Sequence, residues 1–171
     1  MKKWFASCKY IKPGDLEEFL ENCSRDGYHI TPIGQMGFFY YEFIQTEPQK
    51  YRYVVDVTAL PKVLYMETIV EKGWEYLGKT GNCYVWRKPY EERRPDSFAD
   101  KACIRKHCLR VGIAAILAMM LCLGAAGYLI YGAYLERKLG FDRYYLSYLI
   151  EALPLIPLGI YFGWAARKLL R

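Results

Sequence analysis

Residues 111–135 read VGIAAILAMMLCLGAAGYLIYGAYL, 25 positions without a single charge. A helix rises 1.5 Å per residue, so about 20 apolar residues cross the ~30 Å hydrocarbon core of a bilayer. A charged break at 136–143 follows, and then a second apolar run at 144–166, YYLSYLIEALPLIPLGIYFGWAA. Both runs are long enough to span. The residues before them suffice for one small soluble domain with a core of its own. The expected organisation is therefore an α+β cytosolic domain at 1–90 and a basic juxtamembrane linker at 91–110. An all-α two-helix transmembrane hairpin follows, with helices at 111–135 and 144–166, an external loop at 136–143 and a basic tail at 167–171.

The overall charge of +6 misleads unless it is divided. Residues 1–100 carry 14 Lys/Arg against 15 Asp/Glu, a net of −1, whereas residues 101–171 carry 10 against 3, a net of +7. The excess flanks the apolar runs, where it sets topology and meets anionic headgroups. The soluble part has no basic bias, which argues against nucleic-acid binding through phosphate neutralisation. Lys101, Arg105, Lys106 and Arg110 precede the first run and Arg167, Lys168 and Arg171 follow the second, against Arg137, Lys138 and Arg143 between them. Seven against three predicts a two-pass protein of the cell membrane with both termini cytoplasmic. The opening Met1-Lys2-Lys3-Trp4-Phe5 lacks the apolar core of a secretory signal. Cys8, Cys23 and Cys83 are then expected as reduced, mostly buried thiols.

Within the soluble part the chain repeats itself at an offset of about 46 residues. The first copy reads strand 4–10, helix 15–25, Gly27-Tyr28, a strand, Gly34-Gln35-Met36-Gly37 and strand 38–44. The second reads strand 51–57, helix 61–72, Gly73-Trp74, a strand, Gly78-Lys79-Thr80-Gly81 and strand 83–88. Asp15 can cap the first helix with Glu18 reaching back, and Leu16, Phe19, Leu20 and Cys23 form its apolar stripe. Pro61 suits the first turn of the second helix. Gly27 and Gly73 fit left-handed helix ends. Tyr51, Tyr53, Val55 and Val57 alternate with Arg52 and Asp56, as in a strand. The two G-x-x-G segments read as hairpin turns. The expectation is a duplicated β-α-β-β unit, an antiparallel sheet of about six strands with two helices on one face.

Gly73-Trp74-Glu75-Tyr76-Leu77-Gly78 followed by Cys83-Tyr84-Val85-Trp86-Arg87-Lys88 resembles the uncharacterised bacterial family named domain of unknown function 2812. Tyr51-Arg52-Tyr53-Val54-Val55-Asp56, Asp15-Leu16-Glu17-Glu18 and Ser97-Phe98-Ala99-Asp100 are similar to it too. The likeness covers roughly residues 4–108, and Gly27-Tyr28 departs from its usual Gly-Trp. The resemblance implies C-terminal membrane spans and a link, through PadR-type repressors, to membrane or envelope regulation. It brings no catalytic residue.

Among the candidate sites, Glu151 falls within the second run, on the order of 10 Å below its outer end. A carboxylate there is costly unless protonated or paired, and Tyr128 or Tyr131 of the first helix is the expected partner. A helix starting nearer Tyr148 would instead leave Glu151 snorkelling at the interface. Pro154 and Pro157 free nearby carbonyls. Gly124 and Gly127 on the first helix, and Gly159 and Gly163 on the second, let backbones approach within the hairpin or between protomers; general glycine enrichment in spans explains them equally. Cys103, His107 and Cys108 lack a second ligand cluster, so a lipidated or inert thiol is preferred to a metal site. His29 has no catalytic partner that the sequence can assign. The G-x-x-G segments resemble the backbone-clamping loop of KH domains only superficially, since they join strands in a neutral domain.

Seventeen tyrosines and four tryptophans are many for this length. Tyr41, Tyr51, Tyr53, Trp74, Tyr84 and Trp86 form either an exposed aromatic face for protein contacts or the packing of a small core. The expected function is that of a non-enzymatic, membrane-anchored regulatory or adaptor protein. It would contact the lipid bilayer and either a protein partner or a second copy, with no nucleic acid, metal or cofactor. The alternatives are a small-ligand sensor with its pocket between sheet and helices, and an accessory subunit of a transporter.

Overall fold

The computed structural model describes residues 2–5, 10–33, 40–58, 63–80, 83–140 and 145–171. The chain divides into two compact units, Met1–His107 and Cys108–Arg171. The first contains strands β1 (Lys2–Phe5), β2 (Tyr28–Ile30), β3 (Tyr40–Gln45), β4 (Tyr51–Asp56), β5 (Glu75–Thr80) and β6 (Cys83–Pro89), with helices α1 (Pro13–Arg25) and α2 (Val63–Glu71). The α+β class is as the sequence predicts, but the six strands form two antiparallel sheets instead of one. Their orders are β1-β3-β2 and β4-β6-β5. Each half of the unit runs β-α-β-β, and in each the last strand lies at the sheet centre.

α1 begins at Pro13, so Asp15 lies inside its first turn and is not the cap; Lys12 holds that place without a side-chain bond. The proline explains the earlier start, since its missing N–H is one of the unpaired donors of a first turn. Leu16, Leu20 and Cys23 are buried as one stripe. Gly27 and Gly73 follow their helices at φ 80° and 82°, the left-handed geometry expected of them. Pro61 and the segment from Gly34 to Gly37 lie outside the described residues.

The two helices do not share a face. Tyr53 and Val55 of β4 and Val85 of β6 share a core with the α1 stripe, Ile30, Tyr41, Phe43 and Leu77. Val54 and Trp86, one position along each strand, pack instead with Ile69 of α2, Trp74 and Ala99. Successive residues of a strand point to opposite faces, so α1 and α2 cover opposite sides of the second sheet. This is why β4 is buried on both faces and reads as YRYVVD, with less contrast than a one-sided strand.

Gly78 joins the two sheets. It lies within β5, at a register shift against β6, and not in a hairpin turn. Ile33 pairs with it in a parallel bridge, and the Ile33 N–H donates to the Leu77 carbonyl at 2.5 Å. At φ 132° a Cβ on Gly78 would lie 2.5 Å from the Ile33 carbonyl oxygen, so only glycine fits.

Helix α3 runs from Lys101 to Lys138, and α4 (Tyr145–Ala152) and α5 (Leu155–Leu170) follow. Residues 91–107 belong to the first unit and are not a free linker: Phe98 and Ile104 pack on the Trp74–Trp86 cluster. Asp100 caps α3, accepting the Ala102 N–H at 2.8 Å. The break between α4 and α5 falls at Pro154, which lacks the N–H that would continue the first helix. Lys101–Lys138 and Tyr145–Leu170 are each long and apolar enough to cross a membrane.

Candidate functional site

Among the described residues of the first unit, charges gather where α1 passes the open edge of β4. Glu17 and Glu21, one turn apart on α1, border its apolar stripe and are buried, as is Arg52. Glu17 Oε1 accepts the Val55 N–H at 2.9 Å, and its other oxygen stands 2.9 Å from Arg52 Nη1. The same Nη1 donates to Glu21 Oε1 at 2.6 Å and to the Tyr53 carbonyl at 2.7 Å. Arg94, itself half-exposed, closes the set by donating to Glu21 Oε1 at 2.9 Å. An edge strand leaves alternate N–H and C=O groups unpaired. Here a carboxylate takes one and a guanidinium the other. Burial pushes the Glu17 carboxyl above its usual range, while the Val55 N–H and Arg52 pull it back.

In the sequence reading Glu17, Glu21 and Arg94 have no role in a site. The available signal was a like-charged i,i+4 pair flanking an apolar stripe, a repulsive arrangement unless a cation lies between. Arg52 was placed opposite the aromatic face. Its guanidinium instead turns along the strand edge to Glu17 and Glu21.

The expected aromatic contact face is not on the surface. Tyr41, Tyr53, Trp74 and Trp86 are buried, and Tyr51 and Tyr84 are half-buried. These rings make the core, as in the packing alternative, because helices cover both faces of the second sheet. Trp74 meets Phe98 edge-on with centroids 4.9 Å apart, and Tyr51 takes the Arg87 guanidinium over its ring at 5.0 Å. Large apolar side chains are exposed elsewhere: Val63, Leu64 and Val70 on α2.

His29 lies on β2, buried, with Nε2 2.9 Å from the Glu47 carbonyl and its ring edge-on to Tyr51. Asp56 accepts from the Thr58 N–H and hydroxyl and from the Tyr65 hydroxyl, and burial beside it pushes Tyr65 up to about 12. Neither arrangement presents a nucleophile with a base. Cys23 is buried, its thiol pushed up to about 12, while Cys83 is half-buried and Cys8 lies outside the described residues. Cys103 is half-buried beside the Asp100 carboxylate, which raises its thiol; the metal question raised for it, His107 and Cys108 finds no group of three His, Cys, Asp or Glu placed for an ion among the described residues. An open cleft of about 680 Å³ lies at the ends of β4 and β6, lined by Pro48, Gln49, Lys50, Pro89, Tyr90 and Glu91. It is not between sheet and helices, where the ligand-sensor alternative puts a pocket.

In the second unit the four glycines divide. A Cβ on Gly159 would lie 2.9 Å from Leu123, and one on Gly163 2.9 Å from Met119, so these two serve packing of α5 on α3. Gly124 and Gly127 face open space. Glu151 is exposed on α4, and Tyr128 and Tyr131 are 76% and 60% exposed on α3. Among the described residues Glu151 makes no hydrogen bond or ion pair, so its expected bond to Tyr128 or Tyr131 is not made within the chain.

No curated protein and no solved structure matches the chain. A family model does, over residues 13–121, which run from the start of α1 into α3. The chain belongs to the family described as "Protein of unknown function (DUF2812)".

Proposed function

We propose that the chain is a two-pass membrane protein with both termini cytoplasmic, and that its first unit is a non-enzymatic regulatory or adaptor domain. The observation that carries the anchoring is the outward surface of the C-terminal helices. Leu117, Leu121, Ile130, Leu153 and Ile160 are all exposed, and a water-soluble protein does not leave so large an apolar surface uncovered. The seven-to-three division of flanking cations supports the orientation. The shared β-α-β-β order of the two halves supports an internal duplication.

The adaptor role rests on α2, where Val63 and Val70 occupy one exposed face and Leu64 lies beside it. The charged cluster at β4 has its groups engaged with one another and with backbone, which favours a scaffold over a reaction centre.

Carbonate extraction of native membranes, followed by labelling of a Lys138→Cys variant from outside intact cells, tests the anchoring. Release into the aqueous fraction would overturn it, and labelling only after lysis would invert the orientation. For the adaptor role, a photo-crosslinker at Leu64 should capture a cytosolic regulator such as a PadR-type repressor. Capture of a polytopic transporter would favour the accessory-subunit reading, and lipid contacts alone would sink both.

A further inference from the structure

We propose that residues 91–99 form a strap that opens and closes over the Trp74–Trp86 cluster of the first unit, with the Arg94–Glu21 ion pair as its ionic latch. These residues lead from the end of β6 to the start of α3 and contain neither helix nor strand. The strap leaves a fixed point, where the Tyr90 N–H donates to the Lys50 carbonyl at 3.1 Å. Arg94 then reaches Glu21 of α1, and four residues later Phe98 packs beside Trp74 and Trp86 in the α2 cluster. α1 and α2 cover opposite sides of the second sheet, so the strap passes from one side to the other between these two anchors. Glu91, Glu92, Arg93, Asp96 and Ser97 are exposed along its course.

Both anchors are of a kind that can be given up. Glu21 Oε1 accepts from Arg52 Nη1 at 2.6 Å as well as from Arg94 at 2.9 Å. Arg52 is buried and remains when Arg94 leaves, so release strands no uncompensated carboxylate. The Arg94 side chain is itself half-exposed, and an ion pair in that setting is weak and screened by salt. At the second anchor Phe98 is half-buried and meets Trp74 and Trp86 edge-on, with centroids 4.9 and 6.1 Å apart. The Trp86 indole N–H is buried and finds no acceptor among the described residues. A buried donor without an acceptor is costly, and a lifted strap gives it water. Closure therefore hides two tryptophans on weak terms. Opening hydrates the indole and bares a slot already shaped to take an aromatic ring, and ionic strength sets how often that happens.

The test uses the full chain in mild detergent, with Trp4→Phe and Trp164→Phe leaving Trp74 and Trp86 as the only tryptophans. Acrylamide quenching of their fluorescence reads exposure of the slot, and tryptic cleavage after Arg93 reads release of the strap. Added salt should raise both. At low salt Arg94→Gln should raise both about 1.5- to 5-fold, the range set by an exposed ion pair, and should abolish most of the salt response. Phe98→Ala should raise quenching while cleavage keeps its dependence on salt. Denaturant midpoints of the same variants distinguish strap release from unfolding of the whole domain: a rise in cleavage that merely tracks a falling midpoint overturns the strap. So does quenching and cleavage indifferent to salt, or an Arg94→Gln variant that matches the parent. Should Phe98→Ala fail to fold, Arg94→Gln and the salt series still decide the matter.

Discussion

Arg52 holds two carboxylates that would otherwise face each other in a buried site. Arg52→Met keeps the bulk and removes the charge, leaving Glu17 and Glu21 without their central cation, and should destabilise the first unit by about 3–5 kcal/mol. Denaturant unfolding of the full chain in detergent, followed by tryptophan fluorescence, reads this directly because Trp74 and Trp86 are core residues. Glu17 has a separate signature in pH. Burial raises its folded value above the ordinary carboxylate one, so between those two values the folded chain holds more proton than the unfolded chain. Its contribution to stability is therefore full at the acid side of that window and is lost as pH rises through it. Glu17→Gln should remove that part of the slope in a melting-temperature series across acid pH, and an unchanged slope would locate the titration elsewhere. None of this was legible from alternation alone. Pattern reading sorts residues into faces, and Arg52 acts along a strand edge, a third direction that a two-sided pattern does not contain.

At the level of elements, local chemistry was readable and long-range pairing was not. The α1 stripe of Leu16, Leu20 and Cys23 and the left-handed turns at Gly27 and Gly73 follow from spacing and from glycine's freedom, both local. Gly78 was misread because a glycine in a turn and a glycine under a neighbouring strand look alike in one sequence. What distinguishes it is Ile33, far away in the chain. Gly78→Ala should cost more than about 2 kcal/mol, since it combines a left-handed backbone with a backbone collision, and the same unfolding assay measures it. The helices behind the two apolar runs were plain from length, whereas the turn at Pro154 that splits the second needed the structure. Gly159→Ile should lower the detergent melting temperature by pushing Leu123 off its seat, with Gly127→Ala neutral or slightly stabilising as the matched control.

For the whole molecule the division of charge remains the strongest topological signal. In the Lys138→Cys reporter, changing Arg105, Lys106 and Arg110 to glutamine lowers the flanking cations from seven to four against two in the loop, so the fraction of chains labelled from outside should fall. The α+β class and the two apolar helices were legible because composition and period report them. The placement of the helices on opposite sides of the second sheet was not, since alternation says that a face is buried but not by what. That arrangement bears on how the protein is made. α1 shares its core with Ile30, Tyr41 and Phe43 of its own half and with Val55, Leu77 and Val85 of the second, so the first half leaves the ribosome with its core incomplete until Val85 follows. Ile104 completes the second cluster only a few residues before the first apolar run begins at Val111. On the two-pass reading proposed above, folding of the first unit and delivery to the insertion machinery overlap in time. A ribosome that pauses within residues 50–90 would hold an aggregation-prone nascent chain, whereas one that pauses beyond the second run would hold a finished domain.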